Sequence, residues 1–235
     1  MTDFISGIHN YCDRWCERCA FTSRCRVFAM EQEDAPTDAE RDIANEAFWR
    51  KLAGTLAEAQ IMLREKAEEF GIDLDAIPRE EIEAEIESRH KTVRNESLSK
   101  LAASYAKEVN KILPELESLS EETENEYRDD MVRVVRWYQY LIAAKMMRGL
   151  DARLDEDDEY LREASLQERD GSIKVALISI DRSMAAWSGL YRDNPDDRIR
   201  EIISFLDAIR RETEEKFPDA RDFLRPGFDE IEGVM

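Results

Sequence analysis

From Ile43 onward apolar residues return every three or four positions, at Ile43, Ala47, Phe48, Leu52, Leu56, Ala59, Leu63 and Phe70. That period lays one stripe along an α-helix, whereas a strand would scatter the same residues over both faces. The rhythm returns at Ile82, Ile86, Val93, Leu101, Tyr105 and Ile112, and is densest from Val132 to Met147. Short β-branched runs between glycine or Asn-Gly turns hardly occur, and the chain spends only 8 Gly and 6 Pro over 235 residues. The expected fold is all-α, a bundle of four to six helices with a short cysteine-rich segment in front.

Local signals place the helices. Thr37 and Glu40 form a capping box, and Gly71 supplies a stop, so the first long helix should cover about 38–70. Pro78 suits the start of a second helix, which Pro114 should kink or end, having no N–H to donate. Ser118 and Glu121 repeat the capping pattern ahead of a helix over about 120–150, with Gly149 as its end. The acidic stretch that follows reads as a loop with room for one short helix. Its Asp155, Asp157 and Asp158 lack the glycine that a calcium loop needs for its sharp turn. Ser172 should cap a helix apolar almost all round, the most buried of the set, and Asn194-Pro195 should open the last, which runs to Phe217. The expected division is a cysteine segment at 1–30, a bundle at 36–217 and a tail at 218–235.

Charge narrows the choice of partners. The formal net charge is −20, yet residues 1–30 sum to +1, so the rest carries −21. Such a body repels phosphate backbones and anionic lipid, which argues against nucleic acid and membrane as partners. Only the segment bearing Arg14, Arg18, Arg24 and Arg26 could meet an acidic protein, and docking of another protein there is the expected contact. The opening residues lack a basic start followed by an apolar run, and no apolar stretch reaches membrane-spanning length, so a cytoplasmic location is expected.

All four cysteines, Cys12, Cys16, Cys19 and Cys25, fall within fifteen positions. In a reducing compartment they are not expected to form disulfides. If residues 12–19 are helical, Cys12, Cys16 and Cys19 stand at i, i+4 and i+7 on one face, and Cys25 can return to close a cage of four sulfurs. Four thiolates suit zinc or a [4Fe–4S] cluster. Tyr11, Trp15, Phe21 and Phe28 could shield such a centre, and the arginines could offset its charge. The run Cys12-x3-Cys16-x2-Cys19 has the spacing of radical S-adenosylmethionine enzymes, but those need a barrel of strands that this chain cannot build.

The segment Cys16-Glu17-Arg18-Cys19-Ala20-Phe21-Thr22-Ser23-Arg24-Cys25 resembles the C-x2-C-x-[FY]-x3-C end of the iron–sulfur staple in RecB-type and CRISPR-associated nucleases. The resemblance implies a [4Fe–4S] cluster, favoured over zinc, and implies no nuclease activity, because the nuclease core is missing. The expected role is electron transfer, redox sensing or partner docking. The alternative is a zinc-stapled interaction module.

Two further patterns stand in the bundle. Glu87-x2-His90 is an E-x-x-H with His90 on the apolar stripe, half of what a ferritin-like di-iron oxidase would require. Asp181 and Arg182 interrupt the most apolar helix, where a charge needs a partner; Arg133, Arg136 and Lys145 are candidates for Asp181. A structural ion pair is the expected role of these charges; a functional cleft between the helices at 120–150 and 172–193, near Tyr138 and Tyr140, is the alternative, and no motif marks it.

Overall fold

The computed structural model describes residues 3–33, 37–74, 76, 78–123 and 125–229. These contain eight α-helices, several short 3-10 turns and no strand: α1 Arg26–Glu33, α2 Asp38–Arg41, α3 Glu46–Glu69, α4 Arg79–Asn95, α5 Ser97–Thr123, α6 Glu126–Ala152, α7 Arg162–Asp193 and α8 Asp197–Lys216. Contacts divide the chain into two units, one joining Met1–Cys25 to Arg89–Met235 and the other formed by Arg26–Ser88.

In the first unit α5, α6, α7 and α8 close a ring, each packing on the next and α8 returning to α5. Short connections between consecutive helices are those of antiparallel neighbours in a four-helix bundle. Leu98, Tyr105, Val109, Val135, Ile142, Met146, Ile173, Leu177, Ile180, Trp187, Ile199, Leu206 and Ile209 are fully buried and form one continuous core. Each large side chain taken from water contributes about 1.5–3 kcal/mol, so these stripes rather than helix propensity hold the bundle. Where α6 and α7 touch, bulk is excluded: a Cβ on Gly149 would stand 2.7 Å from Ile173. Gly149 is therefore a packing residue inside α6 and not its terminator.

Packing also overrules other local signals. Pro114 lies within α5, which continues to Thr123. Proline inside a helix costs roughly 3 kcal/mol, but here its ring faces solvent while Ile112, Leu113 and Leu116 around it are buried. Ser118 accordingly caps nothing; its hydroxyl donates to the Pro114 carbonyl at 3.0 Å. The cap of α6 is Asn125, whose side chain accepts from the N–H groups of Tyr127 and Arg128. Ser172 is likewise buried mid-helix, because α7 begins ten residues earlier and the Ser172 hydroxyl bonds Glu168.

The second unit holds α1, α2, α3 and the first part of α4. The Thr37–Glu40 capping box forms, with both reciprocal bonds. It serves only the four-residue α2; Asn45 then caps the separate α3. The helix expected over 38–70 is therefore two.

Candidate functional site

Residues 3–25 form no long helix. Three 3-10 turns, Ile8–Tyr11, Cys16–Arg18 and Thr22–Arg24, alternate with extended links, and Arg14 holds a left-handed φ of 59°. A left-handed residue between Cys12 and Cys16 breaks the shared helical face that the thiols required. Cys12 instead donates to the His9 carbonyl at 3.4 Å, and the Cys19 sulfur accepts from the Phe21 N–H at 3.4 Å. Burial pushes the Cys12 thiol above its ordinary range. Among the described residues no three His, Cys, Asp or Glu side chains converge where they could hold a metal ion.

This overturns the four-cysteine metal segment built on Cys12, Cys16, Cys19 and Cys25, whether read as a [4Fe–4S] cluster or as zinc. The resemblance to the nuclease staple is thus one of spacing alone. Iron–sulfur electron transfer, redox sensing by a cluster, the zinc-stapled module and the di-iron oxidase fall with it. Glu87 and His90 are both exposed on α4, so His90 does not point into a core. The neighbouring Arg89 turns to the bundle instead, bonding Asp151 and Asp155.

What the cysteine segment does is dock. The Asp13 carboxylate accepts from the Tyr138 hydroxyl at 2.7 Å, from the Arg182 guanidinium and from the Trp15 N–H, while its carbonyl accepts from the Trp137 indole at 2.9 Å. Trp15 stacks on Trp137 with centroids 5.0 Å apart and meets Tyr138 edge-on. Lys145, buried in α6, donates to the Asn10 carbonyl at 2.9 Å, and burial lowers its pKa. Tyr11 meets Phe223, and Phe21 meets Phe228, each pair at 5.0 Å. Arg182 thus pairs with Asp13, whereas Asp181 pairs with Arg221 at 2.8 Å and with none of Arg133, Arg136 or Lys145.

Docking leaves a cavity of about 630 Å³ between this segment, α6, α7 and the residues after α8. Met131, Val134, Val175, Ile178, Ala185 and Ala186 supply its apolar floor. Trp15, Phe21, Tyr127, Tyr138 and Phe228 add rings, and Arg18, Arg182 and Arg225 stand against the single carboxylate of Asp13. Four of those rings are already covered by the protein's own cations: Arg192 lies 5.9 Å over Tyr127, and three arginines of the lining cover the others, Arg18 3.9 Å over Trp15, Arg225 4.9 Å over Phe228 and Arg182 5.8 Å over Tyr138. Each of the three lining guanidiniums also pairs with a carboxylate, Arg18 with Asp130, Arg182 with Asp13 and Arg225 with Asp229. Among the described residues Arg182 bonds Asp13 and Tyr138 through one terminal nitrogen, which leaves its Nε and other terminal nitrogen for a guest.

The groove near Tyr138 lies between α6 and α7, with the cysteine segment as a third wall. Tyr140 is not part of it; it is exposed and bonds Asn110. Arg182 had announced itself as a charge on an apolar helix, but Asp13, its partner, carries no sequence signal and lies among cysteines that draw the eye. Compared with protein-family models, curated proteins and solved structures, the chain finds no match in any of the three. The class defined here is a helical bundle with an arginine-lined apolar groove.

The tyrosines give the fold an alkaline limit. Burial, reinforced by the bond to Asp13, pushes the Tyr138 hydroxyl from an ordinary value of 10.0 up to about 12, and burial does the same to Tyr105 in the core. Between those values the unfolded chain has released protons that the folded chain keeps, so stability is full below the ordinary value and falls as pH rises toward about 12. Urea midpoints measured across that window should decline, and Tyr138→Phe should lessen the slope. A flat profile would refute the account.

Proposed function

We propose that the groove binds a small organic acid with a flat apolar body, through its carboxylate or an equivalent anionic group. The observation that carries this reading is the convergence of three ring-stacked guanidiniums on one apolar cavity in a protein of net charge −20. A volume of about 630 Å³ suits a ligand of one to three rings. Cationic guests are disfavoured, because the ring faces that would hold them are occupied by arginine. A planar anion can take the free fork of Arg182 in a bidentate pair, and its apolar part can lie on the floor of Val134, Val175 and Ile178. Tyr138 stays protonated at neutral pH, so its hydroxyl bridges Arg182 and Asp13 and fixes the fork.

Anilinonaphthalenesulfonate, an aromatic anion, tests the reading, with neutral phenylnaphthylamine as the same ring system lacking the charge. The sulfonate should bind at one saturable site and quench Trp15. Arg182→Ala and Arg182→Gln should each weaken it roughly tenfold or more, the usual worth of a charge-assisted pair. The neutral dye should bind weakly and equally to all three proteins. Equal affinity for both dyes, or indifference of the sulfonate to both substitutions in variants of native helicity, would overturn the proposal.

A further inference from the structure

We infer that the outward face of α6 is a docking trough for a short acidic segment of a partner protein, one that carries an aromatic or aliphatic residue beside its carboxylates. Arg133, Arg136, Trp137, Tyr140, Leu141 and Ala144 follow one another at helical spacing and share that face. Two walls bound it. On one side residues 10–18 run antiparallel to the helix: Lys145 reaches the Asn10 carbonyl, the Trp137 indole reaches the Asp13 carbonyl, and Arg18 pairs with Asp130. On the other side lies α5, where Glu117 pairs with Arg136 at 3.0 Å and Asn110 bonds the Tyr140 hydroxyl at 2.6 Å. The trough is open to solvent along its length and encloses about 560 Å³. Asp13 and Trp15 form the wall that it shares with the arginine-lined groove.

The sign of the occupant follows from charge. Arg14, Arg133 and Arg136 line the trough, and its one lining carboxylate, Asp13, is already engaged by Tyr138 and Arg182. Arg133 donates to the Asp129 carbonyl, and among the described residues neither Arg14 nor Arg133 has a carboxylate partner. In a protein of net charge −20 such a cluster is the exception, and it selects an anionic guest. Beside the arginines Trp137 is 36 % exposed and Tyr140 56 %. Arginine, tryptophan and tyrosine are the residues that carry most of the binding energy where proteins meet.

Shape sets its size. From Arg133 to Ala144 the helix rises about 17 Å, the span of about five extended residues. Arg133 and Arg136 stand at one end, with Tyr140, Leu141 and Ala144 toward the other, so the guest needs its carboxylates grouped to one side of its apolar residue. A segment this short stays among the arginines, within the roughly 8 Å over which a surface charge is felt at physiological salt. A nucleic acid strand would overrun the trough onto the acidic body and be repelled there. A small molecule would lack the enclosure that its affinity requires.

The probe is the amidated peptide acetyl-Asp-Asp-Glu-Gly-Phe-Leu, with acetyl-Asn-Asn-Gln-Gly-Phe-Leu as its neutral counterpart. Titrated into the full chain, the acidic peptide should bind with a dissociation constant below roughly 300 μM and shift tryptophan emission to the blue as Trp137 is covered. The neutral peptide should bind about tenfold more weakly or worse. Arg133→Gln with Arg136→Gln should weaken the acidic peptide roughly tenfold, the worth of two half-exposed ion pairs, with helicity unchanged because both side chains are exposed. The same double variant should bind anilinonaphthalenesulfonate as the wild type does, and saturating dye should leave the peptide bound, which separates this trough from the neighbouring groove. A dissociation constant above roughly 300 μM, equal affinity for the two peptides, or indifference to the double substitution would overturn the inference. So would displacement of the peptide by the dye, or tighter binding of a short oligothymidylate than of the peptide.

Discussion

Trp187→Ala should cost about 3–5 kcal/mol, a large share of the roughly 5–15 kcal/mol that holds a domain of this kind. Trp187 is fully buried in α7 at the centre of the bundle, and its indole N–H donates to the Tyr105 hydroxyl at 3.2 Å. Truncation removes the largest core side chain and leaves a hollow that Tyr105, Ala186 and Leu190 on rigid helices cannot fill. It also strips the Tyr105 hydroxyl of its donor in a place water does not reach. The check is the urea midpoint with an unchanged slope, and Tyr105→Phe supplies the comparison: it removes the hydroxyl without opening a hollow and should cost only about 1–3 kcal/mol. Similar losses for the two variants would mean that the helices close over the hollow.

A single methyl at Gly171 should be nearly as telling. A Cβ there would lie 2.3 Å from two ring carbons of Tyr11 and 3.1 Å from Phe223. Alanine in place of glycine inside a helix would ordinarily gain about 1 kcal/mol, but overpacking of about 1–3 kcal/mol opposes it and should win. Tyr11 cannot swing away freely, because it is buried and packed on Phe223. Gly171→Ala should therefore loosen residues 3–25 and, with them, the wall of the groove. The double variant Gly171→Ala with Tyr11→Ala should lose far less relative to Tyr11→Ala than Gly171→Ala loses relative to wild type, since only the milder contact with Phe223 at 3.1 Å is left. A double variant that loses the sum of the two single effects would show that the methyl collides with something else.

The helical character was legible, and the reason is that stripe period survives any tertiary arrangement. The chain at Val132–Met147 reads as a buried helix wherever its neighbours lie. Ends were less legible. Pro114, Gly149 and Ser172 each carry the chemistry of a terminus and each sits inside a helix, because the burial of Leu113, Ile173 and their neighbours outweighs a local preference of a few kcal/mol at most. The cysteine spacing misled for a related reason. Spacing implies convergence only if the backbone between is regular, and the left-handed Arg14 is set by the contacts that Asp13 and Trp15 make on α6 and α7.

By itself, then, the order of residues determined that this protein is built from helices, that its charge is strongly negative, and that Arg182 required a partner. Only tertiary structure decided that the partner is Asp13, that Tyr138 bridges them, and that three arginines from separate parts of the chain line one cavity. Periodicity is a property of neighbours along the chain, which local geometry makes readable. A site assembled from residues 13, 138, 182 and 225 is a property of packing, and no local rule reaches across those separations.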